Sequence, residues 1–415
     1  MASAEFGREL RKRRLEQGLA LGKLAELVHY SRSHLSRVEN GQKSPSSALA
    51  RACDAVLSAG GDLLVLAPSA AQPDLDLDID VGGYSDAEWN VRLHADGSGV
   101  FRIGDFGVPP VTAFPATATS SAAALPGLSA LFEEIKRLGR TSSPSLVFPM
   151  AVIHEHAAAA SALRSAGELR RQLLLHAART AEFAGWMAQE CGDERGALWW
   201  TTRAVDHASA VSDEHMVSYA LVRRAVLSLY RGDSGETTDL TEQVLADHAV
   251  HPRIRWLAAL GAAQGYAIGL DHSNSMRALD EAANLYDAAH RTGENELGPS
   301  ALHERSVLIE AWCHYDLGNL EDAAVLFDRA MSRNPQQSDR DRARFGTRRA
   351  LVYAALGDLD RACALIAPLL DVISAVDSVT IRADLLDFAR TVGRYRRHAA
   401  LLDIQPALMS VLAKR

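Results

Sequence analysis

"IEAWCHYDLGNLEDAAVLFDRAMSRNP", residues 309–335, holds two helical stretches around Gly318-Asn319, with Ala323, Phe327, Ala330 and Pro335 after the turn. Small residues at the first and third of these sites let two helices approach closely, and Phe327 fills the gap between them. The same frame recurs. "YAALGDLDRACALIAPLL" has Gly357-Asp358 and Ala362, "MAQECGDERGALWWTTRA" has Gly192-Asp193, Ala197 and Ala204, and "VLSLYRGDSGETTDLTEQV" has Gly232-Asp233. The glycines at 192, 232, 318 and 357 leave one long gap, which accommodates a further pair of helices around 253–269 and 276–290. Residues 128–415 therefore read as about five helical repeats of roughly 40 residues each, with a capping piece from Thr380 onward.

The Ala, three residues, Phe, then Pro spacing resembles the tetratricopeptide (TPR) repeat, although the period is longer than the usual one of about 34 residues. A TPR-like α-solenoid leaves the first helix of each pair lining a concave groove. Helical phase puts Arg179, Glu182, Trp186, Tyr219 and Arg223 on that face, followed by Trp256, Tyr266, Arg305, Trp312, Tyr315 and Arg344. Each tryptophan is more often a core residue than a ligand contact. Arginines among aromatic rings suit a peptide carboxylate or another anionic group, so the expected occupant is a peptide, a protein helix or a small molecule.

At the other end of the chain, residues 1–67 form a separate, basic head. Net charge is −8 overall, yet the first 50 residues carry nine Lys/Arg against five acids, so the remainder is strongly acidic. Only the head is suited to meet a polyanion. Phe6 and Leu10, with Leu15 after a gap, mark one amphipathic helix that Gly18 closes. Leu21, Leu24, Ala25 and Val28 mark a second. Ser31 is a good N-cap for a third helix, 32–40, which buries Leu35 and Val38 and stops at Gly41. Pro45 and Ser46 open a fourth, with Leu49, Ala52, Cys53, Val56 and Leu57 on one face, ended by Gly60-Gly61.

Two short helices across a tight turn, flanked by packing helices, make a helix-turn-helix unit. "LALGKLAELVHYSRSHLSRVENGQKSPS", above all Leu35 to Gly41 followed by Pro45, resembles the XRE (Cro/repressor-like) family over residues 6–67. The resemblance implies that the third helix lies in the DNA major groove. Arg32, Ser33, His34 and Arg37 would then meet base edges, and Ser31, Asn40, Gln42, Lys43 and Ser44 would meet phosphates. It also implies a structural ion pair between Arg14 and Glu39, and leaves Arg11, Lys12 and Arg13 to solvent or phosphate. Leu21 departs from the pattern, because a polar residue often begins that helix and touches phosphate.

Between head and body, residues 68–127 read as a linker with a small β element. "PDLDLDIDV" alternates Asp with Leu, Ile and Val, and "WNVRLHADGSGVFRIG" reads as a hairpin turning at Asp96 to Gly99. Arg92, His94 and Arg102 would suit a wing near DNA, but packing between domains is the commoner role. "FGVPPVTAFPATATSSAAALPG", 106–127, has linker composition.

The fold class is thus all-α, with the small β element as an exception. Several classes of function find no support. The four cysteines have neither metal-ligand nor disulfide spacing, which fits a reducing cytoplasm. No export signal and no apolar run of about 18 residues or more is expected. His154 and His156, two apart on a helix, face away from each other and make no metal pair. No phosphate loop, no H-E-x-x-H and no nucleophile with a base is present, so neither an enzyme nor a cofactor is expected. Taken whole, the chain resembles actinobacterial XRE-type regulators with a C-terminal TPR domain, and more loosely TPR regulators that sense signalling peptides. The resemblance implies a cytoplasmic homodimer that binds a near-palindromic operator in double-stranded DNA and regulates transcription, with the TPR body dimerising and sensing a ligand. The alternatives are a constitutive repressor without ligand and an adaptor in which partner binding by the TPR body dominates.

Overall fold

The computed structural model describes residues 2–28, 32–41, 45, 47–57, 59, 62–66, 75–80, 88–93, 99–103, 111–114, 123–291, 298, 303–333, 337–395 and 397–413. The chain divides into two units, Met1–Pro115 and Ala116–Arg415.

The first unit opens with five helices: α1 (Ala2–Glu16), α2 (Leu21–Leu27), α3 (Arg32–Glu39), α4 (Ser47–Val56) and α5 (Asp62–Leu66). Phe6, Leu10, Leu24, Val28, Leu35, Val38, Leu49, Cys53 and Leu57 form one buried core, joined by Leu63 of α5, a helix the sequence reading had ended before. Leu15, expected on the apolar face of α1, is 58% exposed, and Arg14 is buried in its place. Gly18 and Gly41 take positive φ (66° and 69°) at the ends of α1 and α3, where a side chain would be strained. Gly7 meets a different demand. A Cβ there would collide with the carbonyl oxygens of Val38 and Glu39, so glycine lets α1 lie directly on the end of α3.

Four strands follow, β1 (Leu75–Asp80), β2 (Glu88–Leu93), β3 (Gly99–Ile103) and β4 (Val111–Phe114), paired in the order β1-β2-β3-β4 as an antiparallel meander. Trp89 lies opposite Ile103 and Leu77 opposite Val91. Val111–Phe114 falls inside the stretch expected as linker. Its β-prone residues let it pair with β3 despite the prolines that flank it.

The second unit is helical. It begins with α6 (Ala124–Gly139) and α7 (Pro144–Leu163). Among the described residues five helical hairpins then follow: α8 (Gly167–Glu190) with α9 (Glu194–Ser209), α10 (Glu214–Tyr230) with α11 (Ser234–Ala246), α12 (Pro252–Ile268) with α13 (His272–Arg291), α14 (His303–Asp316) with α15 (Leu320–Arg333), and α16 (Asp339–Leu356) with α17 (Leu359–Ile366). Helices α18 (Leu370–Val376), α19 (Val379–Val392) and α20 (Ala399–Ala413) end the chain. The repeat residues are buried as their spacing demands: Ala197, Ala204, Ala323, Phe327, Ala330 and Ala362 are each at most 1% exposed. Burying a phenylalanine such as Phe327 contributes about 2–3 kcal/mol.

One device makes the hairpin turns. Gly192, Gly232, Gly318 and Gly357 have φ between 75° and 86°. Each donates its N–H three residues back, and the next residue donates five residues back, for example Asp193 N–H to the Ala188 carbonyl at 2.9 Å. Asp193, Asp233 and Asp358 then turn their carboxylates onto the first amides of the following helix. Such a cap contributes about 1 kcal/mol.

α7 corrects one expectation. It is long and apolar enough, by length and mean hydropathy, to cross a membrane, and half of that stretch is buried in the fold. Its Glu155 is fully buried against α9, accepting from Arg203 Nε at 2.7 Å and bonding His207 Nε2 at 2.5 Å. Burial pushes the Glu155 carboxyl up, but His207 and Arg203 outweigh that and hold it below the usual range. An ion pair at that depth marks α7 as a packed helix of this body.

Candidate functional site

In the head, α2 and α3 form the helix-turn-helix pair, and α1 braces it from behind. Arg14 grips Glu39 with two bonds, Nε to Oε1 at 2.6 Å and Nη2 to Oε2 at 3.0 Å, and donates a third to the Leu19 carbonyl at 2.7 Å. Both side chains are buried, so the fork ties α1 to the last turn of α3 and leaves the first turns of α3 free of it. Arg13 is also architectural: it bonds Glu9 at 2.8 Å and Asp62 at 2.5 Å. Arg11 and Lys12 are exposed.

Arg32, Ser33, His34 and Arg37 lie on α3, and their side chains are outside the described residues. Ser31, Gln42, Lys43 and Ser44 are also outside the described residues, and Asn40 is exposed just past the end of α3.

In the body, the expected groove residues fall into two groups. Glu182, Tyr219, Arg223, Trp312 and Arg344 make polar contacts among α8, α10, α14, α16 and α19. Tyr219 Oη donates to Glu182 at 3.1 Å, and Arg223 donates to Gln189 at 3.0 Å. Arg344 spans three helices. It bonds Tyr230 of α10, Glu190 of α8 (2.8 Å) and Thr380 of α19 (2.6 Å). Arg348 takes both oxygens of Asp384 on α19 (2.9 and 2.8 Å) while its guanidinium lies over the Trp312 ring. Trp186 lies beneath the Arg340 guanidinium.

Trp256 and Tyr266 do not belong there. Trp256 is fully buried against Tyr286 in the core of the α12–α13 hairpin, because helical phase alone does not separate inner from core positions. Tyr266 bonds Glu242 of α11 instead. Tyr315 packs at the edge of the C-terminal core. Arg179 and Arg305 carry no bond to a described residue. Burial pushes both guanidinium groups down, opposed by the carboxylates of Asp213 and Glu133 at Arg179 and of Asp341 at Arg305.

Arg340 and Arg344 meet at a residue that sequence reasoning passed over. Glu190, 1% exposed at the end of α8, accepts from Arg340 Nη1 (2.6 Å), Arg344 Nη2 (2.8 Å), Ser378 Oγ (2.6 Å) and Thr380 Oγ1 (3.0 Å). Burial pushes its carboxyl up; Arg344 and Arg340 outweigh that and hold it below the usual range. Arg340 also donates to the Gly139 and Ser142 carbonyls, both at 2.7 Å. The first of the five hairpins is thereby clasped to the last. The available signal was the i, i+4, i+8 stripe Arg340, Arg344, Arg348 on one face of α16.

His154 is buried. Its Nε2 lies 2.8 Å from His176 Nε2, and Phe132 stacks on it. One ring must donate and the other accept, and burial disfavours the charged form of both. Burial and then the charge of its partner push His176 down to about 4. Among the described residues no cluster of three metal-ligating side chains occurs.

No curated protein matches the chain. Among solved structures it is similar to a Rap protein complexed with Competence and Sporulation Factor, at 11% identity and a TM-score of 0.41, over 69% of this chain and 98% of that one. It is also similar to Bacillus thuringiensis PlcR in complex with the peptide PapR7 and DNA, at 13% identity and a TM-score of 0.33, over 80% of this chain and 98% of that one. Residues 5–66 match a family model described as a helix-turn-helix domain. The chain carries a helix-turn-helix domain at residues 5–66, followed in sequence by a body of helical hairpins.

Proposed function

We propose that this protein is a sequence-specific DNA-binding transcriptional regulator of the cytoplasm. In this reading residues 1–67 read DNA, 68–127 connect, and 128–415 dimerise and sense a ligand. The supporting observation is the helix-turn-helix domain at residues 5–66, in which α3 is braced at its far end by Arg14 and Glu39. α3 is then the reading helix. Arg32 and Arg37 read guanines with their planar forks, Ser33 and His34 contact neighbouring base edges, and Ser31, Asn40, Gln42, Lys43 and Ser44 hold phosphates. Each good bidentate pair contributes about 1–3 kcal/mol of discrimination. A homodimer sets two such helices roughly 34 Å apart on a near-palindromic operator. A ligand of the body acts on DNA binding only as far as it binds one dimer spacing better than another.

The test is retention of genomic fragments by the purified protein at two salt concentrations. The expected result is a palindromic site whose affinity falls steeply with salt and is lost in the Arg32→Ala/Arg37→Ala double variant. A double variant that keeps full function, with no site recovered, would make the body's partner the real activity.

A further inference from the structure

The last two helices, α19 and α20, close the repeat array. α19 packs on α16 with Ile381, Leu385 and Phe388 buried, and α20 packs on α17 and α18 with Leu401, Ile404 and Leu408 buried. On the side opposite those buried faces, both helices are apolar again. Ala383 and Leu386 (39% exposed) stand on the outer side of α19, and Leu402 (51%), Pro406, Met409 (56%) and Ala413 on the outer side of α20. The α16–α17 hairpin lies behind both helices, so the two stripes look away from it together. A stacked array needs a polar outer face on its terminal helices to stay soluble. This face lacks one. Asp387 accepts from Arg390 Nη1 at 2.9 Å, so the pair brings no net charge, and Asp403 is the sole charged residue of α20. A contiguous apolar patch left in water marks a protein contact.

We propose that this terminal face is the contact between two copies of the chain, with α19 and α20 of one protomer lying against the same helices of its partner across a twofold axis. Three features select a second copy. Leu402, Pro406, Met409 and Ala413 follow one another by four, three and four residues, the spacing of a seam between two helices. A twofold contact sets the same patch on both sides, so the patch must tolerate itself. An uncharged apolar face does so, whereas a face of fixed charge meets its own sign. The chain beyond the head carries the excess of acid, so two copies repel over most of their surface and approach with least repulsion through a neutral face. The proposal rests on the dimer reading above and names the surface that carries it.

Sedimentation equilibrium of the full chain over a range of concentrations, without DNA, reads the dimer directly. The expected result is a reversible dimer in the parent chain. Leu402→Glu/Met409→Glu should weaken it about a hundredfold or more, because like charges then face each other across the axis. Leu402→Lys/Met409→Lys should do the same, and an equimolar mixture of the two double variants should recover the dimer. Circular dichroism checks that each variant is folded, and Leu386→Glu on α19 carries the test if the α20 variants are not. A parent chain that stays monomeric would overturn the dimer and this contact together. A dimer that the substitutions leave unchanged would overturn this contact alone and leave the dimer reading standing. Variants that dissociate but do not recover on mixing would overturn the twofold contact and give the face to a different protein. Retention of DNA by the head is read separately and is untouched by any of these results.

Discussion

Glu190 and Arg340 stand 150 residues apart in the chain and bond at 2.6 Å, both buried. Repeat arrays ordinarily bond neighbour to neighbour, and this pair joins the first hairpin to the last. Glu190→Gln keeps the shape but leaves Arg340 and Arg344 without a counter-charge in the interior. Removing one partner of a buried pair costs about 3–5 kcal/mol. Urea unfolding should show that loss, and small-angle scattering of the variant should show a wider body. A loss below about 1 kcal/mol would mean that the clasp adds little beyond neighbour packing.

The head has its own clasp. Arg14→Ala leaves Glu39 buried without its fork and removes the tie between α1 and the last turn of α3. The expected cost is about 3 kcal/mol to the head alone. Gly7→Ala should destabilise the same interface by forcing α1 off the Val38 carbonyl. Leu15→Lys, at an exposed site, should change little. Unfolding of the head read by hydrogen exchange at Leu35 and Val38 ranks the three, and an inert Arg14→Ala contradicts the bracing role.

Much of this fold was legible because it rests on local rules. Glycine at positive φ followed by an aspartate cap marks three of the hairpin turns directly, Gly318-Asn319 marks a fourth, and small-residue spacing marks the packing between helices. The helices of the head follow from apolar period and glycine stops. The clasp was not legible, since no local pattern reports that Glu190 meets residues 340, 344, 378 and 380. The Arg14 fork was expected only through resemblance, and burial of Arg14 in place of Leu15 runs against apolar period. Trp256 and Trp312 share one helical phase, yet one is core and the other faces an arginine. Only the path of the whole superhelix separates them.

Two buried sites give opposite pH slopes. The His154–His176 pair is neutral when folded, with His176 pushed down to about 4, so the unfolded chain takes up protons first as pH falls below the ordinary histidine value of 6.5. Its contribution is complete above pH 6.5 and falls by about 2 kcal/mol at pH 5. Burial pushes Asp316 up to about 6, against Arg348, and its Oδ2 has no hydrogen-bond partner. Folding therefore favours the protonated Asp316, a gain at low pH that is lost as pH rises through 6. Asp316→Asn should raise stability at pH 8 by about 1–2 kcal/mol and expose the full histidine slope between pH 7.5 and 5. Chemical melts at three pH values check both, and an unchanged slope in Asp316→Asn would remove Asp316 from the account.

The hairpin between α12 and α13 breaks the glycine rule, and its turn shows the cost. Leu270 holds φ +60°, where the other turns use glycine, and Asp271 still donates its N–H to the Tyr266 carbonyl at 2.9 Å. Its carboxylate caps α13 by accepting from the Asn274 amide at 3.1 Å. The glycine stands one place earlier, at Gly269, where a Cβ would collide with Ser234 Oγ. Close packing there fixes Gly269, and the left-handed position falls to leucine, which is why the Gly-Asp signal vanishes in this repeat. Leu270 is 74% exposed, so its side chain contributes little burial to offset the strain. A left-handed non-glycine residue costs about 1–2 kcal/mol, and glycine returns part of that gain as unfolded-state entropy. Leu270→Gly should therefore stabilise the body by about 0.5–1 kcal/mol, raising Tm by about 2 °C. Gly357→Ala, the converse change at the α16–α17 turn, should destabilise by a similar amount. Calorimetry of the two variants side by side decides it. A Leu270→Gly that melts lower than the parent would mean that the exposed leucine makes a contact worth more than the backbone strain it imposes.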